Sequence, residues 1–236
     1  MAPKVLDVLT SVDKYPTGKR TGWYLPEFAH LYHILASHTK SRSSLQRDPT
    51  STEEFKDDKI SIDFLNNQKS LYEKTEKLEK FVGRAEEFVA LFYVAMFDLA
   101  TDPISHQIIN EFYAAGKMVS AVCHGPAALA FVKLPNGTPF LSGAKVTGFS
   151  NSEEEAMGGT VEMPFLLETE LNKASGGGYP RGAENWGKHV VVDRDGKLIT
   201  GQNPASAFGV GEALLSPARQ GSAQGGPATC GPSQFY

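Results

Sequence analysis

The chain has 236 residues, 41% of them hydrophobic and 21% charged, with 23 Lys+Arg against 27 Asp+Glu and a formal net charge of -4. That is enough apolar chain for a substantial core, but the wrong charge balance for sequence-independent nucleic-acid binding, which needs a basic surface. Two cysteines, Cys123 and Cys230, exclude a disulfide scaffold, and no apolar run approaches the roughly 18–20 residues of a membrane span. The opening MAPKVLDVLT lacks the long apolar segment of a secretion signal, so a cytoplasmic setting is expected, with the nucleus also open.

Lys4 to Thr10 reads as a strand rich in Val and Leu, closed by the polar pair Thr10-Ser11. Asp7 interrupts it, and a carboxylate in a doubly covered strand is costly unless paired. Residues 17–24 form a turn-rich loop. In residues 25–36, Phe28, Leu31, Tyr32 and Leu35 recur at helical spacing, with Pro26 and Glu27 suited to the first turn. Residues 37–54 are polar and poor in apolar side chains, and read as a loop or insert. The charged stretch 53–87, with spaced Phe and Leu, predicts surface helices and an irregular segment.

The second half alternates more clearly. Phe88 to Ala95 is a continuous apolar run of strand length, and Pro103 to Ala115 has helical spacing closed by Gly116. Met118 to Val122 predicts a buried strand, and Gly125 to Phe131 a helix with Pro126 in its first turn. Lys145 to Gly148 reads as a short strand, Ser150 to Gly158 as a helix start, and Glu162 to Leu171 as helix. The runs 189–192 and 197–200 flank a turn and predict a hairpin; residues 202–215 close the domain with a turn and a helix start. Residues 216–236, rich in Gly, Ser, Ala, Pro and Gln, have little to bury and are expected to be a disordered tail after a single domain over 1–215. Alternating strands and helices imply an α/β fold around a mostly parallel sheet, whose ligand crevice lies beyond the carboxyl ends of the strands. Chemistry is therefore expected after Val122, after Val94 and near the end of the first strand.

After Val122 the chain reads Cys123-His124-Gly125-Pro126, a strand running into a turn and a helix. That is the context of a nucleophile elbow. A lone Cys is more often simply buried, but one that ends a strand at a helix start gains from the helix dipole, which favours thiolate. Gly125 permits close approach to the backbone, and the His124 and Gly125 amides are candidate oxyanion donors, since Pro126 has none. His30 and His33 beside Glu27 raise the thought of a metal, but two His three apart on one helix are common by chance, and no metal is expected.

The segments VSAVCHGPAAL, KVTGFSNSEEEAMG, VEMPFLLETEL and LITGQNPASA, with MAPKVLDVLTS and TGWYLPEFAH at the N-terminus, resemble the ThiJ/PfpI superfamily. Within it they are similar to the glutathione-independent glyoxalases (glyoxalase III, heat-shock chaperone-like branch), over residues 1–36 and about 48–215. The resemblance implies a doubly wound, flavodoxin-like α/β sheet flanked by helices, related to class I glutamine amidotransferases, and a homodimer. It implies cofactor-free conversion of methylglyoxal, a small 2-oxoaldehyde, to lactate in a stress response. It assigns Cys123 as nucleophile, His124 as its neighbouring histidine, Glu154 as acidic partner and Glu27 as the acid beside the thiol. Glu153 and Glu155 are the alternatives to Glu154.

Three departures from that family bear on activity. Its Gly-rich loop after the FYV strand is missing, with Ala95 and Met96 in its place. The polar stretch 37–47 stands where a second strand is expected. The final helix gives way to the tail. A catalytically weak homologue acting as stress chaperone or redox sensor is the alternative function. A Cys amidase or amidotransferase would need a distant histidine, and His189, opening a strand, is a poor candidate.

Overall fold

The computed structural model describes residues 4–36, 40–44 and 52–216. In chain order the elements are β1 (Lys4–Leu9), α1 (Leu25–Leu35), β2 (Lys40–Ser44), α2 (Lys59–Asn67), α3 (Lys69–Glu73), β3 (Ala90–Val94), α4 (Pro103–Ala114), β4 (Met118–Val122), α5 (Ala127–Ala130), α6 (Asn151–Ala156), α7 (Leu167–Ser175), β5 (Val190–Asp193), β6 (Leu198–Gly201) and α8 (Ala207–Leu215). The strands form one six-stranded sheet in the order β2-β1-β3-β4-β6-β5. All neighbours are parallel except β5, which returns against β6 as a hairpin.

Burial explains why the central strands are continuous apolar runs. Every residue of β3 and five of six in β1 are buried, as happens only when helices cover both faces. One helical group joins α1 to α2 and α8, and α8 rests on β4 and β6; α4 packs on β3 and β4 and touches α5. The helix ends follow local chemistry. Asp102 caps α4 by accepting from the Ser105 amide at 2.7 Å, with Pro103 in the first turn, and Gly116 takes a positive φ of 69° just past its end.

Several expectations need correction. The polar stretch 37–47 does not replace a strand: Lys40–Ser44 pairs with β1 in parallel register, Lys4 opposite Lys40 and Val8 opposite Ser44. An edge strand takes its hydrogen bonds from backbone alone, so it needs no apolar sequence, and a polar edge resists pairing with other chains. Residues 37–39 and 45–47 of that stretch lie outside the described residues, as does the expected tail from residue 217. Residues 145–148 form no strand; the Val146 amide donates to Gly178 O at 2.9 Å and the Thr147 amide to Thr200 Oγ1 at 2.9 Å. The helix expected at 162–171 begins only at Leu167 and continues to Ser175. The helix expected over 125–131 is a single turn, Ala127–Ala130. Asp7 is fully buried in β1, between Ser43 and Phe92 in register.

Candidate active site

The carboxyl ends of β1, β3 and β4 converge on a cavity of about 690 Å³. Three segments that follow strands contribute to it: the loop after β1 through Tyr15 and residues 19–24, the turn after β3 through Ala95 and Met96, and the turn after β4 through Cys123 and His124. The turn after β3 is tied to β1, since Asp98 accepts from Thr10 Oγ1 at 2.7 Å and from the Ser11 amide at 3.0 Å.

Cys123 sits at the end of β4 with φ 58°, a left-handed conformation that costs a non-glycine residue energy and recurs at functional turns. Its backbone is clamped on both sides: its amide donates to Gly201 O at 3.0 Å, and its carbonyl accepts from the Phe149 amide at 2.8 Å. The turn is closed by the Gly125 amide, which donates to Val122 O at 2.8 Å. That overturns the expected oxyanion role of Gly125, because its only donor is already spent. Its requirement is steric instead: a Cβ there would stand 2.3 Å from Tyr93 O.

Three side chains meet the sulfur or its neighbour. His124 Nδ1 lies 3.5 Å from Cys123 Sγ, and His124 Nε2 pairs with Glu154 Oε2 at 2.7 Å. Glu27, buried in the first turn of α1, hydrogen-bonds the Cys123 thiol. Burial pushes the Glu27 carboxyl up to about 8, against the opposing effect of its bond to the thiol. Burial, then the Glu27 charge, holds the Cys123 thiol well above its ordinary value. The expected low-pKa thiolate is thereby corrected. The sulfur is buried, a carboxyl faces it, and the helix that was to stabilise the anion is one turn long. Both environments favour the protonated forms, thiol and carboxylic acid.

The Glu triplet is resolved by α6. Ser150 and Glu153 form a reciprocal capping box. Glu153, fully buried, also accepts from Gln202 Nε2 at 3.0 Å, Asn203 Nδ2 at 2.9 Å and the Trp186 amide at 2.8 Å. It is a structural anchor. Glu155 is exposed, so only Glu154 reaches the histidine. Of the metal thought, His30 Nε2 pairs with Asp58 Oδ2 at 2.6 Å while Glu27 faces the sulfur, and no group of three or more ligating side chains is gathered among the described residues. His189 Nε2 lies 3.1 Å from Pro180 O and does not line the cavity.

The sequence reading missed the aromatic walls. Phe149 packs against the His124 ring at 4.5 Å between centroids and against Trp186 at 5.7 Å, and Tyr24 meets Phe55 edge-on at 5.3 Å. The residue next to Gly148 in TGFS and the TGWY loop carried that signal, but only long-range packing brings these rings together.

No protein-family model matches the chain. HSP31 of Saccharomyces cerevisiae, a glutathione-independent glyoxalase, is 32% identical over 232 residues, which cover 88% of this chain and 94% of that protein. The glutathione-independent glyoxalase hsp3102 of Schizosaccharomyces pombe is 30% identical over 223 residues, covering 86% and 91%. Among solved structures, the Rapid Encystment Protein 24 KDa of Francisella tularensis superposes with a TM-score of 0.80 at 28% identity, over 91% of this chain and 100% of that one.

Proposed function

The chain belongs to the glutathione-independent glyoxalase family, and from that premise we propose that it converts methylglyoxal and water to lactate through Cys123, without glutathione. The observation that carries the reading is one buried sulfur beside both a second carboxyl, Glu27, and a histidine that is paired with Glu154, with Cys123, His124 and Glu27 all lining one cavity.

The reaction balances within these groups. The Cys123 thiol adds across the aldehyde carbonyl, sulfur to carbon and proton to oxygen, giving a hemithioacetal. Glu27 as carboxylate takes the proton from that carbon while His124 protonates the neighbouring ketone oxygen, giving an enediol. Glu27 returns its proton to the former ketone carbon and His124 recovers a hydroxyl proton, leaving a lactoyl thioester. The aldehyde carbon is oxidised and the ketone carbon reduced, so no external oxidant is consumed. Water then cleaves the thioester to lactate and thiol. Glu154 orients His124 through its contact with Nε2.

Ala95 and Met96 stand where the resembling family carries a Gly-rich loop. Loss of one backbone donor to a developing oxyanion costs on the order of 100-fold, so turnover is expected below that of relatives that keep the loop. A cytoplasmic homodimer belongs to the same proposal, and light scattering of the purified protein checks the dimer. No helix among the described residues is long and apolar enough to cross a membrane.

The deciding assay is lactate formation from methylglyoxal by purified protein without glutathione. Cys123→Ser is expected to lose on the order of 10³-fold or more in turnover. Full turnover in that variant overturns the proposal.

A further inference from the structure

The cavity is far larger than a three-carbon aldehyde needs. At about 690 Å³ it falls within the roughly 300–1,000 Å³ of pockets that hold drug-sized ligands. Six aromatic side chains, Tyr15, Trp23, Tyr24, Phe55, Phe149 and Trp186, line it with Cys123 and Glu27, and the charged Lys19, Arg20 and Glu54 border it too. Methylglyoxal, with a single methyl beyond its two carbonyls, would leave most of that surface unused.

Trp186 stands out among these residues. It is 46% exposed, although burial is what normally recruits a tryptophan to a wall. Its backbone has φ 65°, a left-handed conformation unfavourable for a bulky residue. Its backbone amide donates a hydrogen bond to Glu153 Oε1 at 2.8 Å, on a carboxylate buried at the head of α6. The indole packs on Phe149, which packs on His124, so the ring is connected to the reacting centre through one intervening side chain. A half-exposed indole carried on a left-handed backbone at a pocket wall gains from a flat apolar ligand the burial that folding leaves incomplete.

We propose that the preferred substrates are 2-oxoaldehydes bearing an aromatic or comparably bulky apolar group on the ketone carbon, with Trp186 as a specificity-determining contact. The inference rests on the glyoxalase reading and names its substrate class. The chemistry is unchanged: an aryl 2-oxoaldehyde and water give the aryl 2-hydroxy acid, with the aldehyde carbon oxidised and the ketone carbon reduced.

Phenylglyoxal and methylglyoxal serve as paired probes of the purified full chain without glutathione. The expected result is a kcat/KM for phenylglyoxal on the order of tenfold or more above that for methylglyoxal, the scale on which apolar pockets discriminate. Trp186→Ala is expected to lower the phenylglyoxal value about tenfold more than the methylglyoxal value, and Trp186→Phe, which keeps an aromatic face, to recover part of the difference. Equal kcat/KM for the two aldehydes, or a parallel fall of both in the variants, overturns the inference while leaving the glyoxalase reading intact. If neither aldehyde is turned over, the glyoxalase reading fails, and calorimetric titration decides the pocket separately. Mandelate binding about tenfold more tightly than lactate supports the aromatic site, and equal binding of the two overturns it.

Discussion

Cys123 and Glu27 face one another in a place that disfavours both charges. With its carboxyl raised to about 8, Glu27 is mostly protonated at pH 7, and only about a tenth of the molecules hold the carboxylate that the proposed proton transfer needs. The kcat/KM for methylglyoxal is therefore expected to rise with pH along a limb centred near 8, measured as lactate formed between pH 6 and 9. Glu27→Gln should lose that limb together with most activity; a profile flat through this range would remove Glu27 from the role. The same group sets a stability trend. Its folded pKa lies above its unfolded one, so the folded state holds the extra proton, and stability is lost as pH rises from about 4.5 through 8. Glu27→Gln does not titrate, so urea unfolding at pH 5 and pH 9 should find the variant gaining on wild type by on the order of a few kcal/mol across that interval. The sequence pointed to Glu27 only through family resemblance, because a glutamate in a first helical turn is ordinarily a solvent-facing charge. What makes it different is burial against a sulfur 96 residues away in the chain (123 minus 27), which no local pattern records.

At the level of elements, two short pieces of structure carry more than their length suggests. The turn after β4 depends on Gly125, where any Cβ meets the Tyr93 and Val122 carbonyl oxygens at 2.3 and 2.8 Å. Both are backbone atoms of central strand ends, which cannot yield as a side-chain tip can. Gly125→Ala is expected to destabilise by about 2 kcal/mol or more, read as a lower midpoint in chemical denaturation, and to displace Cys123 from its partners. The other piece is α6. Ser150 Oγ and Glu153 close its capping box, and the same turn presents Glu154 to His124. Ser150→Ala should cost about 1 kcal/mol of stability through the lost cap and lower kcat with little change in KM, since substrate contacts remain. The sequence showed a helix start at Ser150, but nothing local in it says which of three consecutive glutamates turns inward. β2 was illegible for a complementary reason: its pairing with β1 is made by backbone groups, so a run of Lys, Ser and Arg left no apolar trace to read.

On the scale of the molecule, the alternation of apolar runs with helical spacings was enough to predict the parallel sheet, because strands covered on both faces must be apolar throughout. It was also enough to predict a crevice beyond the strand ends, which follows from topology. The shape and lining of that crevice did not follow, because they depend on loops after β1, around Phe149 and around Trp186 meeting in space. These loops and the sheet share one body of packing. The buried apolar side chains form a continuous cluster from Val5 and Leu6 in β1 to Val210 and Leu214 in α8. The same cluster includes Trp23, which also lines the cavity, and Leu78 and Phe81 in the charged stretch before β3. A core without an internal seam gives no part of the described chain an independent hydrophobic reason to stay folded once another part has opened. Thermal unfolding is therefore expected as one cooperative transition, with near-unity agreement between calorimetric and van't Hoff enthalpies. Trp fluorescence reports Trp23 in the core and Trp186 at the cavity, and its midpoint should coincide with that of far-ultraviolet circular dichroism. An early fluorescence transition restored to the main one by Trp186→Phe would locate the loss at the cavity wall. Two calorimetric peaks would divide the chain into units that fold separately and overturn the single-domain reading.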